Sequence, residues 1–233
     1  MIARIRHLIA AADKSDDRGI TLVELIVAMS LLLVVSVVVI GGYQAVVGSL
    51  GTANALNKNT EQASNGMNEA AREIRAATSN PVAGQTLNDP AVVTATNESL
   101  VIYAYVNLQS SSAQLPVQVR LRVDPATRGL YEDIWSATQN SAGYWIFPSP
   151  ATAPKSTRQL ATYIATPASS DPYIFTYLAG TTVLTVPTTG AFTTAQRLSI
   201  TSIKITMTVQ ASPTDASHAV TLQNTVGMPN LSQ

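Results

Sequence analysis

The sequence contains no cysteine. That excludes a thiol nucleophile, a zinc-thiolate site and a disulfide-stapled domain. Charge is scarce too: 14 Lys+Arg face 14 Asp+Glu in 233 residues, for a formal net charge of +0. A surface so sparse and balanced argues against strong non-specific binding to nucleic acid, which needs clustered cations against phosphate. The sequence has no G-x-S-x-G elbow, no Gly-rich phosphate loop and no His/Asp/Glu set at metal-ligand spacing. The length allows one anchor plus one globular domain with its own core. The polar part is rich in Thr, Ser, Ala, Val and Gln, which suits a β-rich extracytoplasmic domain.

What the chain does have is a long apolar run. From Ile20 to Ile40 there are 21 residues and one charge, Glu24; the other polar side chains are Thr21, Ser30 and Ser36. At about 1.5 Å per residue a helix of this length spans roughly 30 Å, the thickness of a hydrocarbon core. A carboxylate inside such a segment is costly, so it usually has a partner and a purpose. The plain alternative is a glutamate near the interface that reaches water. A secretory signal peptide is the competing reading of the N-terminus, but its apolar core is shorter, about 7–15 residues, and no A-x-A-like site follows Ile40. Arg4, Arg6, Lys14 and Arg18 precede the span, so the leader should stay cytoplasmic and the bulk of the chain should be exported.

The residues around Glu24 are more specific. A short charged leader ends in Arg18-Gly19, Ile20 follows, and Glu24 is the fifth residue after the glycine. This resembles the N-terminal processing and methylation motif of the type IV pilin superfamily, over about Arg18 to Ile40. The resemblance implies that a prepilin peptidase cuts between Gly19 and Ile20 and methylates the new amine of Ile20. Ile20 stands where Phe is commoner. The resemblance also implies that Glu24 sets filament register, its charge offset by the Ile20 amine of the same or an adjacent subunit. Further implied partners are other pilin subunits, the assembly platform with its ATPase, and the membrane. No cofactor, metal or specific nucleic acid is expected. The implied fold is α+β, a long N-terminal helix packed on an antiparallel β-sheet head. Two-Cys closure of a C-terminal loop, common in Gram-negative major pilins, is absent here.

The expected divisions are a leader at 1–19, a transmembrane half-helix at 20–40, an amphipathic spine at 41–79 and a β-rich head at 80–233. Gly41-Gly42 reads as a helix bend or a locally melted turn, or as a small-residue packing surface shared with Gly48 and Gly51. Beyond it Val46, Leu50, Ala53, Leu56, Ala63, Met67, Ala70, Ile74 and Ala77 mostly recur at helical steps. Glu69, Arg72, Glu73 and Arg75 read as surface charges, and Asn80-Pro81 as the end of the helix. Strands are predicted over Ser99–Val106, Val117–Val123, Leu130–Trp135, Tyr144–Phe147, Gln159–Ala165, Tyr173–Leu178, Thr182–Val186, Arg197–Gln210 and His218–Val226. Asp124–Gly129 is the turn between the second and third.

Other candidates have plainer readings. His218 lies near Asp215 and Ser217, but in a turn without a nucleophile elbow, so no enzymatic role is expected. Arg120 and Arg122 share what should be a solvated strand face. Tyr103, Tyr105, Tyr144 and Trp145 read as core or edge packing rather than stacking platforms. With 214 residues left after removal of 19 from 233, the mature chain is large for a bulk repeating subunit. The reading is a minor pilin or pseudopilin in a priming or tip role. It would be held in the cytoplasmic membrane with its N-terminus inside and its head outside, then displayed in a surface filament. The alternatives are a type II secretion or competence pseudopilin, a single-span surface protein that never polymerises, and an anchored hydrolase using the His218 region.

Overall fold

The computed structural model describes residues 20–105, 115–168, 171–188, 191–214 and 216–231. Leader residues 1–19, with the Gly19 side of the expected cut, lie outside them, as do Val106 and Asp215. The chain divides into two compact units, Met1–Gly51 and Thr52–Gln233. The helix α1 (Leu22–Arg75) begins in the first and ends in the second.

In the first unit α1 is apolar all round. Every residue from Ile20 to Leu50 is exposed except the half-buried Ser36. The helix continues through Gly41 and Gly42, so there is no melted turn at that point, and a Cβ added at either meets nothing within 4 Å. The amphipathic stripe expected from Tyr43 onward packs only later. Val46, Leu50, Ala53 and Leu56 remain exposed, and burial starts at Asn59.

In the second unit Asn59, Ala63, Gly66, Met67, Ala70, Ala71, Glu73 and Ile74 form the buried face of α1. They recur at three- and four-residue steps, the spacing that keeps side chains on one side of a helix. The helix ends at Arg75, short of Asn80-Pro81, because the following backbone is taken by other partners. Thr78 N–H donates to the carbonyl of Tyr103 (2.9 Å), and Tyr105 N–H to that of Ala76 (3.2 Å). The Asn230 amide caps the helix by donating to the Arg75 carbonyl at 3.1 Å.

Among the described residues eleven strands follow: β1 (Val92–Ala95), β2 (Ser99–Ala104), β3 (Val117–Val123), β4 (Leu130–Ser136), β5 (Thr138–Gln139), β6 (Trp145–Ile146), β7 (Ser156–Ala161), β8 (Phe175–Ala179), β9 (Thr182–Leu184), β10 (Ser202–Val209) and β11 (Val220–Gly227). The described strands form a five-stranded sheet in the order β1-β2-β3-β4-β7, a four-stranded sheet β11-β10-β8-β9 and the small pair β5-β6. Every pairing is antiparallel. The architecture is therefore α+β, a long apolar N-terminal helix with antiparallel sheets. Gly66 marks where α1 comes close to both larger sheets: a Cβ there would lie 3.3 Å from Met207 Sδ on β10 and 3.4 Å from Ala161 Cβ on β7. The core of the unit is built by Ile74, Leu100, Ile102, Leu121, Leu130, Phe175, Tyr177, Ile203, Ile205 and Met207.

Val117–Val123 is a strand with the expected bounds, and its hairpin turn is held by Asp124. The Asp124 carboxylate accepts from the backbone N–H of Ala126 (3.0 Å) and Thr127 (2.8 Å), and Arg128 takes a positive φ of 56°. Two expectations for the strands fail. Arg197–Gln210 is not one strand: Thr194–Ser199 forms a short helix, α2, and β10 begins at Ser202. Thr193 and Gln196 impose this with a reciprocal capping box, in which each side chain binds the other's backbone N–H. The face of Gln118, Arg120 and Arg122 is only partly solvated, because chain from the 148–150 stretch covers part of it: Gln118 donates to the Pro148 carbonyl and Arg120 to that of Pro150, and the two arginines are about a quarter exposed.

Candidate functional site

The N-terminal motif has defined local geometry. Thr21 is the cap of α1. Its carbonyl accepts from Leu25 N–H at 3.1 Å, and its hydroxyl accepts from Glu24 N–H at 3.2 Å. Glu24 reaches back: its Oε2 accepts from both the backbone N–H and the hydroxyl of Thr21, each at 3.0 Å. Thr21-x-x-Glu24 is thus a capping box, with a carboxylate at the positive end of the helix. Sequence reading took Glu24 as a register element and passed over this role, although Thr-x-x-Glu before an apolar run is the signature of such a box. Ile20 lies outside the helix and is 77% exposed, immediately before the cap. The Glu24 carboxylate is therefore held one residue away from the backbone nitrogen that cleavage after Gly19 would free.

A family model described as the prokaryotic N-terminal methylation motif matches residues 14–40. The chain carries the prepilin-type methylation motif. The match supports a type IV pilin- or pseudopilin-like precursor, and such a motif implies processing by a prepilin peptidase and assembly with other pilin subunits. A helix long and apolar enough to cross a membrane occupies the same stretch, which fits membrane anchoring. No curated protein matches the chain.

Elsewhere in this prepilin-like chain three sets of side chains were candidates. Ser217 and His218 are neighbours, with Ser217 Oγ 2.9 Å from His218 Nδ1, and the His218 carbonyl accepts from the Asn59 amide at 2.8 Å. Asp215, the third member of the suggested set, lies outside the described residues. Arg120 and Arg122 converge on the buried Asp133 of β4. Their Nε atoms each stand 2.8 Å from Asp133 Oδ2, while Thr157 donates to Oδ1 at 2.7 Å. Burial raises the Asp133 carboxyl, but the hydrogen bonds from Arg122, Thr157 and Arg120 outweigh it and hold it below its ordinary value. Arg120 lies over the Trp135 ring at 5.0 Å, and Arg122 over that of Tyr131 at 5.2 Å. This network locks β3 to β4 and β7. Tyr103 stacks on Phe147 at 4.3 Å, as packing rather than a platform for bases.

The fold also gathers a group that sequence spacing could not show. Glu69 and Glu73 are not both surface charges: Glu73 is fully buried, and with Glu69 it faces the buried Glu132 of β4. One carboxylate oxygen from each lies within 4.8 Å of the others. Arg72 donates to Glu69 Oε1 at 2.6 Å and to Glu73 Oε1 at 2.9 Å. Arg158 of β7 donates to Glu132 Oε2 at 2.8 Å and also bonds Glu69 Oε1.

Proposed function

We propose that the mature chain is a minor pilin or pseudopilin that works by assembly and not by chemistry. The observation that carries the proposal is the coincidence of the methylation motif with a helix whose apolar surface has no partner among the described residues from Ile20 to Leu50. Such a surface is costly in water. A bilayer relieves that cost before assembly, and neighbouring helices relieve it afterwards. Exposed Tyr43, Val46, Val47 and Leu50 extend the helix–helix surface past the span itself.

In this reading the peptidase cuts after Gly19 and methylates Ile20. Glu24, already turned back toward the N-terminus by Thr21, then balances the Ile20 amine and fixes axial register. Gly41 and Gly42 would let the helical backbone bend during that passage. The size of the head supports a priming or tip position over a bulk one. The orientation, N-terminus inside and head outside, rests on the basic leader. Service to a secretion or competence machine is the second reading, supported by the same motif.

The test follows processed chain through the cell. With a prepilin peptidase present, the chain should lose its leader and appear in small amounts in the sheared filament fraction. Without the peptidase it should stay full length in the membrane. Equal recovery in membrane alone in both strains would leave a single-span surface protein.

A further inference from the structure

The three-carboxylate cluster leaves buried oxygens unused. Glu69, Glu73 and Glu132 bring three carboxyl groups to two guanidiniums, so with all three ionised the group carries one negative charge in excess. Glu73 Oε2 and Glu132 Oε1 are buried and have no hydrogen-bond partner among the described residues. The two side chains that carry them are 0% and 2% exposed. A buried carboxylate oxygen without a partner is among the more costly features a fold can keep. The arginines do not supply what is missing: both donate to the other oxygens, and they stand 41% (Arg72) and 50% (Arg158) exposed.

We propose that Glu69, Glu73 and Glu132 form an oxygen-only site for one divalent cation of the Ca2+ or Mn2+ kind. Charge permits the exchange: one such ion brings the same +2 as the two guanidiniums it replaces, and the charge balance is unchanged. Exposure supports it as well, since Arg72 and Arg158 can turn outward into water. The ligand set has only hard oxygen donors, with neither sulfur nor imidazole, and so selects Ca2+, Mn2+ or Mg2+ over zinc and copper. Ca2+ tolerates irregular geometry, which suits ligands drawn from a helix and a strand, whereas Mg2+ demands a near-ideal octahedron. Asn65, Asn68, Glu69 and Arg158 line an open recess at the Glu69 side of the cluster. A bound ion would tie the last turns of α1 to β4 within the Thr52–Gln233 unit.

The experiment uses the full-length protein in detergent micelles, stripped with a chelator and titrated with CaCl2, MnCl2 and MgCl2. Calorimetry should find one saturable site, tighter for Ca2+ or Mn2+ than for Mg2+, and the melting temperature should rise with ion concentration. Glu73→Gln keeps the shape of the side chain and should abolish both responses. Glu69→Gln, at the more exposed position, should weaken them and provides a second variant if the first folds poorly. Arg158→Gln removes a competitor and should tighten binding. Absence of saturable binding at millimolar ion would overturn the proposal, and a Glu73→Gln protein as stable as the wild type would then mean that the cluster holds a proton instead. Binding unchanged in both glutamine variants would overturn it by placing the ion elsewhere.

Discussion

Thr21 and Glu24 hold each other across the first turn of α1: the hydroxyl of Thr21 donates to Glu24 Oε2 at 3.0 Å, and the backbone N–H of Glu24 donates to that hydroxyl at 3.2 Å. The glutamate therefore does two things that mutation can separate. Glu24→Ala removes both the cap and the charge. Membrane insertion and cleavage should survive, because the leader and the residues at the cut are intact, while incorporation into filaments should fall. Thr21→Val removes the hydroxyl and keeps the carboxylate. It should fray the first turn but leave more incorporation than Glu24→Ala. Immunoblots of membrane and sheared fractions make the comparison; equal incorporation of wild type and Glu24→Ala would remove Glu24 from register.

Gly41 and Gly42 are helical with open space around them. Replacing either by Ala should stabilise the local helix by up to about 1 kcal/mol. If the backbone must bend here on leaving the membrane, Gly41→Ala/Gly42→Ala should be processed normally and assemble less. Unchanged assembly would make these glycines a packing surface or incidental.

The Arg120–Asp133–Arg122 network should be a main support of the head. Asp133→Ala strands two partly buried guanidiniums and the Thr157 hydroxyl, a loss of about 3 kcal/mol, at the low end for a broken buried pair because both arginines remain about a quarter exposed. The pH dependence has a defined sign. Asp133 is held below its ordinary value in the fold, so its contribution is present above the unfolded value and is lost as pH falls through the folded one. Denaturant titrations should show the wild type losing stability below about pH 4, with Asp133→Asn losing less over that range.

Features carried by consecutive residues were legible in the sequence. The apolar run, the Gly19-Ile20-Glu24 spacing, the strict alternation of Val117–Val123 and the Asp124–Gly129 turn needed no tertiary information. Features that depend on distant partners were not. Helix α1 stops at Arg75 because Tyr103, Tyr105 and Asn230 claim the backbone around its end, and no local signal reports them. The polar side chains of β3 looked solvated because alternation cannot reveal that residues 148–150 fold over them. Glu69 and Glu132 are 63 positions apart in sequence and meet only when β4 packs on α1. Two misses were local. Thr193-x-x-Gln196 and Thr21-x-x-Glu24 are the same capping signature, hidden in one case by an alternating apolar pattern and in the other by attention to the charge of Glu24.

The Thr52–Gln233 unit has its own core, so a fragment of those residues should fold alone and melt cooperatively, with mixed helix and sheet by circular dichroism. Within it Gly66→Leu should destabilise by about 1–3 kcal/mol, because Met207 and Ala161 leave no room for the side chain. A disordered fragment, or a Gly66→Leu variant as stable as the parent, would contradict the packing of α1 on the sheets.

The most direct measurement is the mass and N-terminal sequence of the mature protein purified from its own membrane. The account predicts a chain that begins at Ile20 with a methylated amine, and a loss of residues 1–19 that depends on the prepilin peptidase. A mature chain beginning beyond Ile40, or one that keeps Met1 in a strain with active peptidase, would contradict it.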